Sequence, residues 1–114
     1  MKINAIRVPV TGPVEVISYD RKDELDVLQE QVGGYIEVVT ATQHVTFYVN
    51  EEGKLMGLPI NKRATEYWWS INPSYRGHDV LCGTAVILGE IDGDGYSGSV
   101  DTNLIADPLL NPIG

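Results

Sequence analysis

The chain has 114 residues, 43% hydrophobic and 21% charged, which is enough for one domain with a single hydrophobic core. Its 16 acidic and 8 basic side chains give a net charge of −8, which disfavours direct binding to nucleic acid because phosphate contacts need clustered Lys and Arg. No apolar run approaches the roughly 18 residues of a membrane span, and the N-terminus lacks the pattern of a secretory signal, so we expect no membrane association.

The N-terminal segment predicts a β-hairpin. Residues 3–10 are rich in apolar side chains, and a second β-rich stretch covers residues 14–19. Gly12 and Pro13 lie between them and favour a turn. This hairpin is expected to leave one edge of the sheet open.

A first helix is predicted over residues 20–33. Asp20 is a suitable N-cap, and Glu24 adds negative charge to the first turn, where the helix dipole favours it. Gly33 or Gly34 is expected to form the left-handed C-cap. The apolar positions at i, i+3 and i+7 predict the buried stripe, which consists of Leu25, Leu28 and Val32.

A second pair of strands follows, over residues 35–40 and 45–50. The second of them shows the period-2 alternation of a strand. Gly53 is predicted to take a positive φ in the turn that comes next. Leu55 and Met56 are expected to begin a short return strand.

A second helix is predicted over residues 61–71. Asn61 is a suitable N-cap, and Pro73 stops the helix. Its packing stripe is Ala64, Tyr67, Trp68 and Ile71.

The strongest strand signal lies at residues 80–88. The apolar run is nearly continuous, which is typical of a central strand buried on both faces. Gly83 indicates a bulge or a close approach of backbone within it. Cys82 is expected to be a buried apolar residue, and because it is the single cysteine no internal disulfide can form.

Together these elements predict an α+β fold, a single compact domain with a mostly antiparallel sheet and two helices. The α+β domain is assigned to residues 1–91. Residues 92–114 are a loop rich in glycine and acids, followed by a C-terminal tail. This segment is either part of the same domain or loosely ordered.

No residue pattern indicates catalysis or metal binding. Asp92, Asp94 and Gly95 faintly resemble a calcium loop, but Tyr96 and Asn103 stand where an EF-hand needs ligands. One cysteine and two isolated histidines do not suffice for a structural zinc site. We therefore expect no enzymatic activity, no catalytic residues, no metal and no cofactor.

Three polar residues around the junction between the second hairpin and the second helix are candidate binding residues. They are Asn50, Asn61 and Arg63. A helix N-terminus beside an arginine can bind an anion such as a nucleotide phosphate. The alternative is that Asn61 only caps the helix and that Arg63 is solvated.

Trp69 is a candidate partner-binding residue. Consecutive helical residues point about 100° apart, so Trp68 and Trp69 cannot share one buried stripe. An exposed tryptophan near arginine often anchors an interface. The alternative is that Trp69 packs under the loop at residues 72–78.

Three segments of the chain resemble a family of small proteins from phages and mobile elements of bacteria, often of actinobacteria, that is defined only as a domain of unknown function. The segments are residues 28–37, 50–64 and 79–89, at consistent spacing, and the resemblance covers most of residues 1–90. It implies a phage origin and the host cytoplasm, and it supplies no catalytic residues. By this resemblance we expect a phage-encoded accessory protein that binds a host or defence protein without catalysis. The alternative is a protein that binds or sequesters a nucleotide, or a minor enzyme that acts on nucleotides.

The sequence also predicts a homodimer. Trp69 and the tail residues Leu109, Leu110 and Ile113 are large apolar groups that a small domain leaves partly uncovered. With an open sheet edge, they favour an isologous contact. The alternative is a monomer whose tail folds back on Trp69.

Overall fold

In the computed structural model, which describes residues 1–111, a five-stranded antiparallel sheet forms the middle layer. Its strands lie in the order β2-β1-β5-β4-β3, so that β2 and β3 are the two edges. The strand bounds are Lys2–Val8 for β1, Glu15–Asp20 for β2, Ile36–Thr42 for β3, Val45–Asn50 for β4 and Ala85–Leu88 for β5. The predicted N-terminal hairpin is confirmed, because β1 and β2 pair directly.

One helix covers each face of this sheet. The helix α1 is Glu24–Val32 and the helix α2 is Lys62–Ile71, and both lie where the sequence predicts them. The predicted α+β fold with two helices is thereby confirmed for residues 1–111. Within this part of the chain, neither helix is long and apolar enough to cross a membrane.

The two faces have separate cores. The core under α1, called here the α1 face, consists of Ile3, Ala5, Tyr19, Leu28, Tyr48, Val86 and Leu88. The core on the other side, the α2 face, is larger and is centred on Phe47, Trp68 and Ile87. The alternation along β4 and β5 sends successive side chains to opposite cores, so all residues of both strands are buried.

The buried stripe of α1 differs from the prediction. Asp20 caps a short 3₁₀ turn, where its carboxylate accepts the N–H of Lys22, and the α-helix begins only after that turn. Glu24, Leu28 and Val32, at i, i+4 and i+8, are the residues that face the sheet. The prediction was therefore wrong for Leu25, which is 55% exposed. The predicted left-handed cap at Gly33 is confirmed.

The segment after β4 was also predicted wrongly. Leu55 and Met56 form no return strand but lie in successive turns, in which the Met56 N–H donates to the Glu52 carbonyl. The positive φ belongs to Gly57 and not to Gly53. Gly53 is small for another reason, since a Cβ there would lie 3.2 Å from the Cys82 carbonyl oxygen.

The central position of the strand predicted at residues 80–88 is confirmed, but β5 is shorter than predicted. Gly83 has a φ of +79° and turns the chain just before the strand begins. A Cβ at Gly83 would lie 2.9 Å from Leu58 Cδ1, so the glycine marks a close approach. Cys82 is buried and pairs with Ile60 in an isolated bridge.

The segment after β5 returns to the sheet. The Val100 N–H donates to the Asn4 carbonyl at 3.0 Å, and Val100 and Leu110 both belong to the α2-face core. The expectation that Leu110 is left uncovered was wrong, because its side chain is fully buried. Ile113, the last residue of that expectation, lies outside the described residues.

Candidate functional site

The α1 face carries an open cleft beside the edge strand β3. It has a volume of about 290 Å³ and lies between α1, β3, β4 and the turn that follows β5. Its outer walls are apolar or aromatic, and its acidic residues are Glu24 and Asp94. Among residues 1–111, no cationic side chain lines it.

The apolar walls of the cleft are accessible to solvent. Leu25 is 55% exposed, Val38 44% and Tyr96 39%. They come from three separate elements, α1, β3 and the turn after β5. Large apolar side chains that converge on one concave surface are a common feature of binding sites.

A buried carboxylate belongs to the lining of the cleft. Glu24 is 7% exposed, and its Oε1 accepts a hydrogen bond of 2.6 Å from the hydroxyl of Tyr19. Its Oε2 accepts the backbone N–H of Ser97 at 3.2 Å. None of the ion pairs within residues 1–111 includes Glu24. A carboxylate offers about four acceptor positions, so Glu24 keeps capacity for a further donor.

Two tyrosine hydroxyls complete this polar cluster. The hydroxyl of Tyr48 lies 2.5 Å from Ser97 Oγ. Burial, together with the neighbouring Glu24 carboxylate, raises the pKa of Tyr19 above its ordinary value. Burial likewise raises the pKa of Tyr48, although its hydrogen bond with Ser97 acts in the opposite direction. Both hydroxyls are therefore protonated at neutral pH, and the Tyr19 hydroxyl uses its proton in the hydrogen bond to Glu24.

The turn that forms the outer wall is fixed by Asp92. Its carboxylate accepts the N–H groups of Asp94 and Tyr96 at 2.9 and 3.0 Å, and the Tyr96 N–H is the main cause that holds the pKa of Asp92 below its ordinary value. Arg21 donates to the same carboxylate at 2.8 Å, and its guanidinium lies 4.2 Å from the centre of the Tyr96 ring. Within residues 1–111, no group of three His, Cys, Asp or Glu side chains is placed to hold a metal ion.

Two of the candidate binding residues from the sequence meet at the end of β1. The carbonyl of the fully buried Asn61 side chain accepts the Ala64 N–H at 3.1 Å, which confirms the predicted N-cap, and its amide donates to the carbonyls of Val8 and Gly83. The guanidinium of Arg63 donates to the backbone carbonyls of Pro9 and Gly12. These bonds hold the start of α2 on the sheet, and a binding role for the two residues stays a prediction.

The structure does not bring Asn50 to this junction. The Asn50 amide donates to the Val32 carbonyl at the end of α1, and its side-chain oxygen accepts the Glu52 N–H. No hydrogen bond within residues 1–111 joins it to Asn61 or Arg63. Asn50 therefore ties α1 to the turn after β4, on the face opposite α2.

Trp69 is half-buried, and its indole N–H donates to the Asp79 carbonyl at 2.9 Å, just beyond the loop at residues 72–78. Trp68 is the tryptophan of the packing stripe, as predicted, and it stacks on Tyr75 with ring centres 4.7 Å apart. Whether Trp69 contacts a partner stays a prediction.

The sequence analysis missed the polar cluster of the cleft. Its members, Tyr19, Glu24, Tyr48 and Ser97, are spread over 79 positions of the chain. One signal for Glu24 was present, because it precedes Leu28 by four residues and so shares its helical face. An acidic residue is normally predicted to face solvent. No local sequence pattern identifies the buried donors that bind the Glu24 carboxylate.

Comparison with known proteins assigns the chain to a family. Residues 1–110 match the domain of unknown function DUF3846, so the chain belongs to that family. No curated protein and no solved structure matches the chain.

Proposed function

We propose that this member of the DUF3846 family is a phage-encoded accessory protein that binds a host or defence protein in the host cytoplasm and catalyses no reaction. The phage origin is supported by the resemblance of residues 28–37, 50–64 and 79–89 to phage proteins. The binding surface in this proposal is the α1–β3 cleft.

The observation that carries the proposal is the exposure of apolar side chains around a concave surface. Leu25, Val38 and Tyr96 each remain accessible although they converge on the cleft. Covering them with a partner would remove apolar surface from water and would stabilise the complex by roughly 25 cal/mol per Å² of apolar area buried. Asp94, an exposed acid in the lining of the cleft, would contribute to the polar rim that protein interfaces usually have.

The proposal is tested by capture from a lysate of the host, with two matched leucine variants. Leu25 lines the cleft, whereas Leu55 is 88% exposed and does not line it. We expect the wild-type protein and Leu55→Glu to retain the same partner, and Leu25→Glu to lose it. The absence of a reproducible partner, or its equal retention by Leu25→Glu, would overturn the proposal.

Nucleotide binding is the second candidate. It is supported by the pairing of a helix N-terminus with Arg63, an arrangement that can hold a phosphate. It takes second place because the Arg63 guanidinium already donates to two backbone carbonyls. Mass spectrometry of small molecules released from heated protein tests it directly. If no nucleotide is released and none raises the melting temperature, nucleotide binding is rejected.

A further inference from the structure

We propose, on the basis of the function proposed above, that the partner binds by strand addition. An extended segment of the partner pairs with the open edge of β3 and places alternate side chains in the cleft. This segment carries both apolar and basic residues, of which a Lys or Arg approaches Glu24 and Asp94.

The backbone of β3 is arranged for this pairing. The Glu51 N–H donates to the Tyr35 carbonyl at 2.9 Å, and in the antiparallel register Glu37 then lies opposite Val49. Hydrogen-bonded pairs alternate along such a ladder, so the backbone groups of Tyr35 and Glu37 point towards β4. The N–H and C=O groups of Ile36 and Val38 therefore point away from β4, to the open edge of the sheet.

The same two residues connect this edge with the cleft. The side chains of Ile36 and Val38 line the cleft, while their backbone groups face the open edge. A strand added to β3 would lie about 4.8 Å away and alternate its side chains between the two faces of the sheet. Every second side chain would then lie on the α1 face, beside the exposed walls of the cleft.

Charge identifies the kind of segment that fits. The cleft is lined by Glu24 and Asp94 and, within the described chain, by no cationic group. Glu24 is nine-tenths buried and keeps acceptor capacity, so an ammonium or guanidinium group would give it a charged partner. A second copy of the chain would instead bring a net charge of −8 to the same acids. The charges therefore favour a basic segment over self-pairing through β3.

The other edge strand, β2, has open backbone groups but does not lie beside the cleft. The Arg21 N–H donates to the Met1 carbonyl at 2.9 Å, so the register directs the backbone groups of Val16 and Ser18 to the open edge of β2. No residue of β2 lines the cleft. Val16 is 43% exposed and Val38 is 44% exposed, so the two valines form a matched pair for a test.

The test is NMR of the full chain titrated with a short synthetic peptide of the repeat Val-Thr-Lys-Thr, called here the lysine–valine peptide, which as a strand presents both valine and lysine on one face. We expect the amides of Ile36 and Val38 to shift and to exchange with solvent more slowly. Two control peptides, one with glutamate in place of lysine and one methylated on every backbone nitrogen, should protect neither amide. Lack of protection by the lysine–valine peptide, or equal protection by either control, overturns the proposal.

The variants assign the effect to one edge. Val38→Lys, which adds a like charge at the edge of β3, should weaken peptide binding by about tenfold or more, and Val16→Lys should change it by less than about twofold. Equal effects of the two variants contradict strand addition at β3. If the amides of Ile36 and Val38 are already protected in the free protein and its mass is doubled, the occupant is a second copy, and the proposal is wrong.

The outcomes also separate the two proposals. A partner captured through Leu25 without protection of Ile36 and Val38 leaves the proposed function standing and rejects strand addition. Protection of both amides with no partner from the lysate supports the edge and rejects the proposed function.

Discussion

The hydroxyl of Tyr19 donates a hydrogen bond of 2.6 Å to Oε1 of Glu24, and this bond joins the edge strand β2 to the first turn of α1. Both side chains are buried. Within residues 1–111, the buried Glu24 carboxylate is thus bound by the neutral donors Tyr19 and Ser97 and takes part in no ion pair. A buried charge that loses one of its donors keeps the cost of its desolvation.

Replacing Tyr19 by phenylalanine should therefore destabilise the protein. We expect the free energy of unfolding to fall by about 1–3 kcal/mol at neutral pH, because the ring is kept while the donor is lost. Urea denaturation measures the change. Tyr35→Phe is the control, since Tyr35 is 68% exposed, and it should stay within about 0.5 kcal/mol of wild type. Equal effects of the two variants would contradict the role assigned to the bond.

Alkaline pH should destabilise the protein through its buried tyrosines. Burial raises the pKa of Tyr19, Tyr48 and Tyr67 in the folded state above their ordinary value of 10.0. The folded state then holds these protons more tightly than the unfolded chain, so their contribution is complete below about pH 10 and is lost as the pH rises further. Urea denaturation above about pH 10 should show that the free energy of unfolding of the wild type falls, and that of Tyr19→Phe should fall less. An identical pH dependence of the wild type and the variant would contradict the prediction.

Local patterns in the sequence were enough to locate most elements of the fold. The alternation in residues 45–50 matches β4, and the cap at Asn61 matches the start of α2. These features depend on side chains within a few positions of each other. The length of β5 depends on a distant residue instead. Gly83 turns the chain before the strand, at a point where Leu58, 25 positions earlier, packs against it. For the same reason the turns around Leu55 were mistaken for a strand.

The candidate site was much harder to predict than the fold. Glu24 and Ser97 are 73 positions apart, and their contact depends on the chain's return after β5. The sequence analysis instead selected polar residues such as Asn61, whose side chain is fully used by bonds to the protein's own backbone. A single sequence shows which residues are polar but does not show which of them find partners inside the fold.

Gly89 should not tolerate a larger side chain. A Cβ at this position would lie 2.5 Å from the Ser99 carbonyl oxygen and 3.2 Å from that of Gly98, so backbone would have to move. We expect Gly89→Ala to lower the free energy of unfolding by about 2 kcal/mol or more. Gly93→Ala is the matched control, because a Cβ there meets nothing within 4 Å, and its effect should be near zero. Calorimetry measures the melting temperatures of both variants. Similar melting temperatures would contradict the prediction and would show that the backbone at Ser99 moves at little cost in stability.

The homodimer also stays a prediction. Leu110 is fully buried within its own chain, so of the apolar groups proposed for the contact Trp69 and Leu109 remain accessible among residues 1–111. Light scattering at micromolar concentration should give twice the chain mass of 12.5 kDa. Trp69→Ala should reduce this mass to that of the monomer, and Leu55→Ala should leave it unchanged. A wild-type mass near 12.5 kDa would reject the dimer, and a dimer that survives Trp69→Ala would reject Trp69 as its anchor.

Asn61 should be irreplaceable by aspartate, although aspartate is an equally good N-cap. Its side-chain oxygen caps α2, while its amide donates to the carbonyls of Val8 and Gly83 at 2.8 and 2.9 Å. In Asn61→Asp the cap is kept, but a second carboxylate oxygen would face those two carbonyls in a fully buried position. We expect the free energy of unfolding to fall by about 3 kcal/mol or more at neutral pH, measured by urea denaturation.

The destabilisation caused by Asn61→Asp should be smaller at mildly acidic pH, because a protonated carboxyl can donate to the carbonyl of Val8 or of Gly83. Asn111→Asp, at an exposed position, adds the same charge and should cost less than about 0.5 kcal/mol. If Asn61→Asp were as harmless as Asn111→Asp, the cap alone would account for Asn61. The bonds to β1 and Gly83 would then contribute little to holding α2 on the sheet.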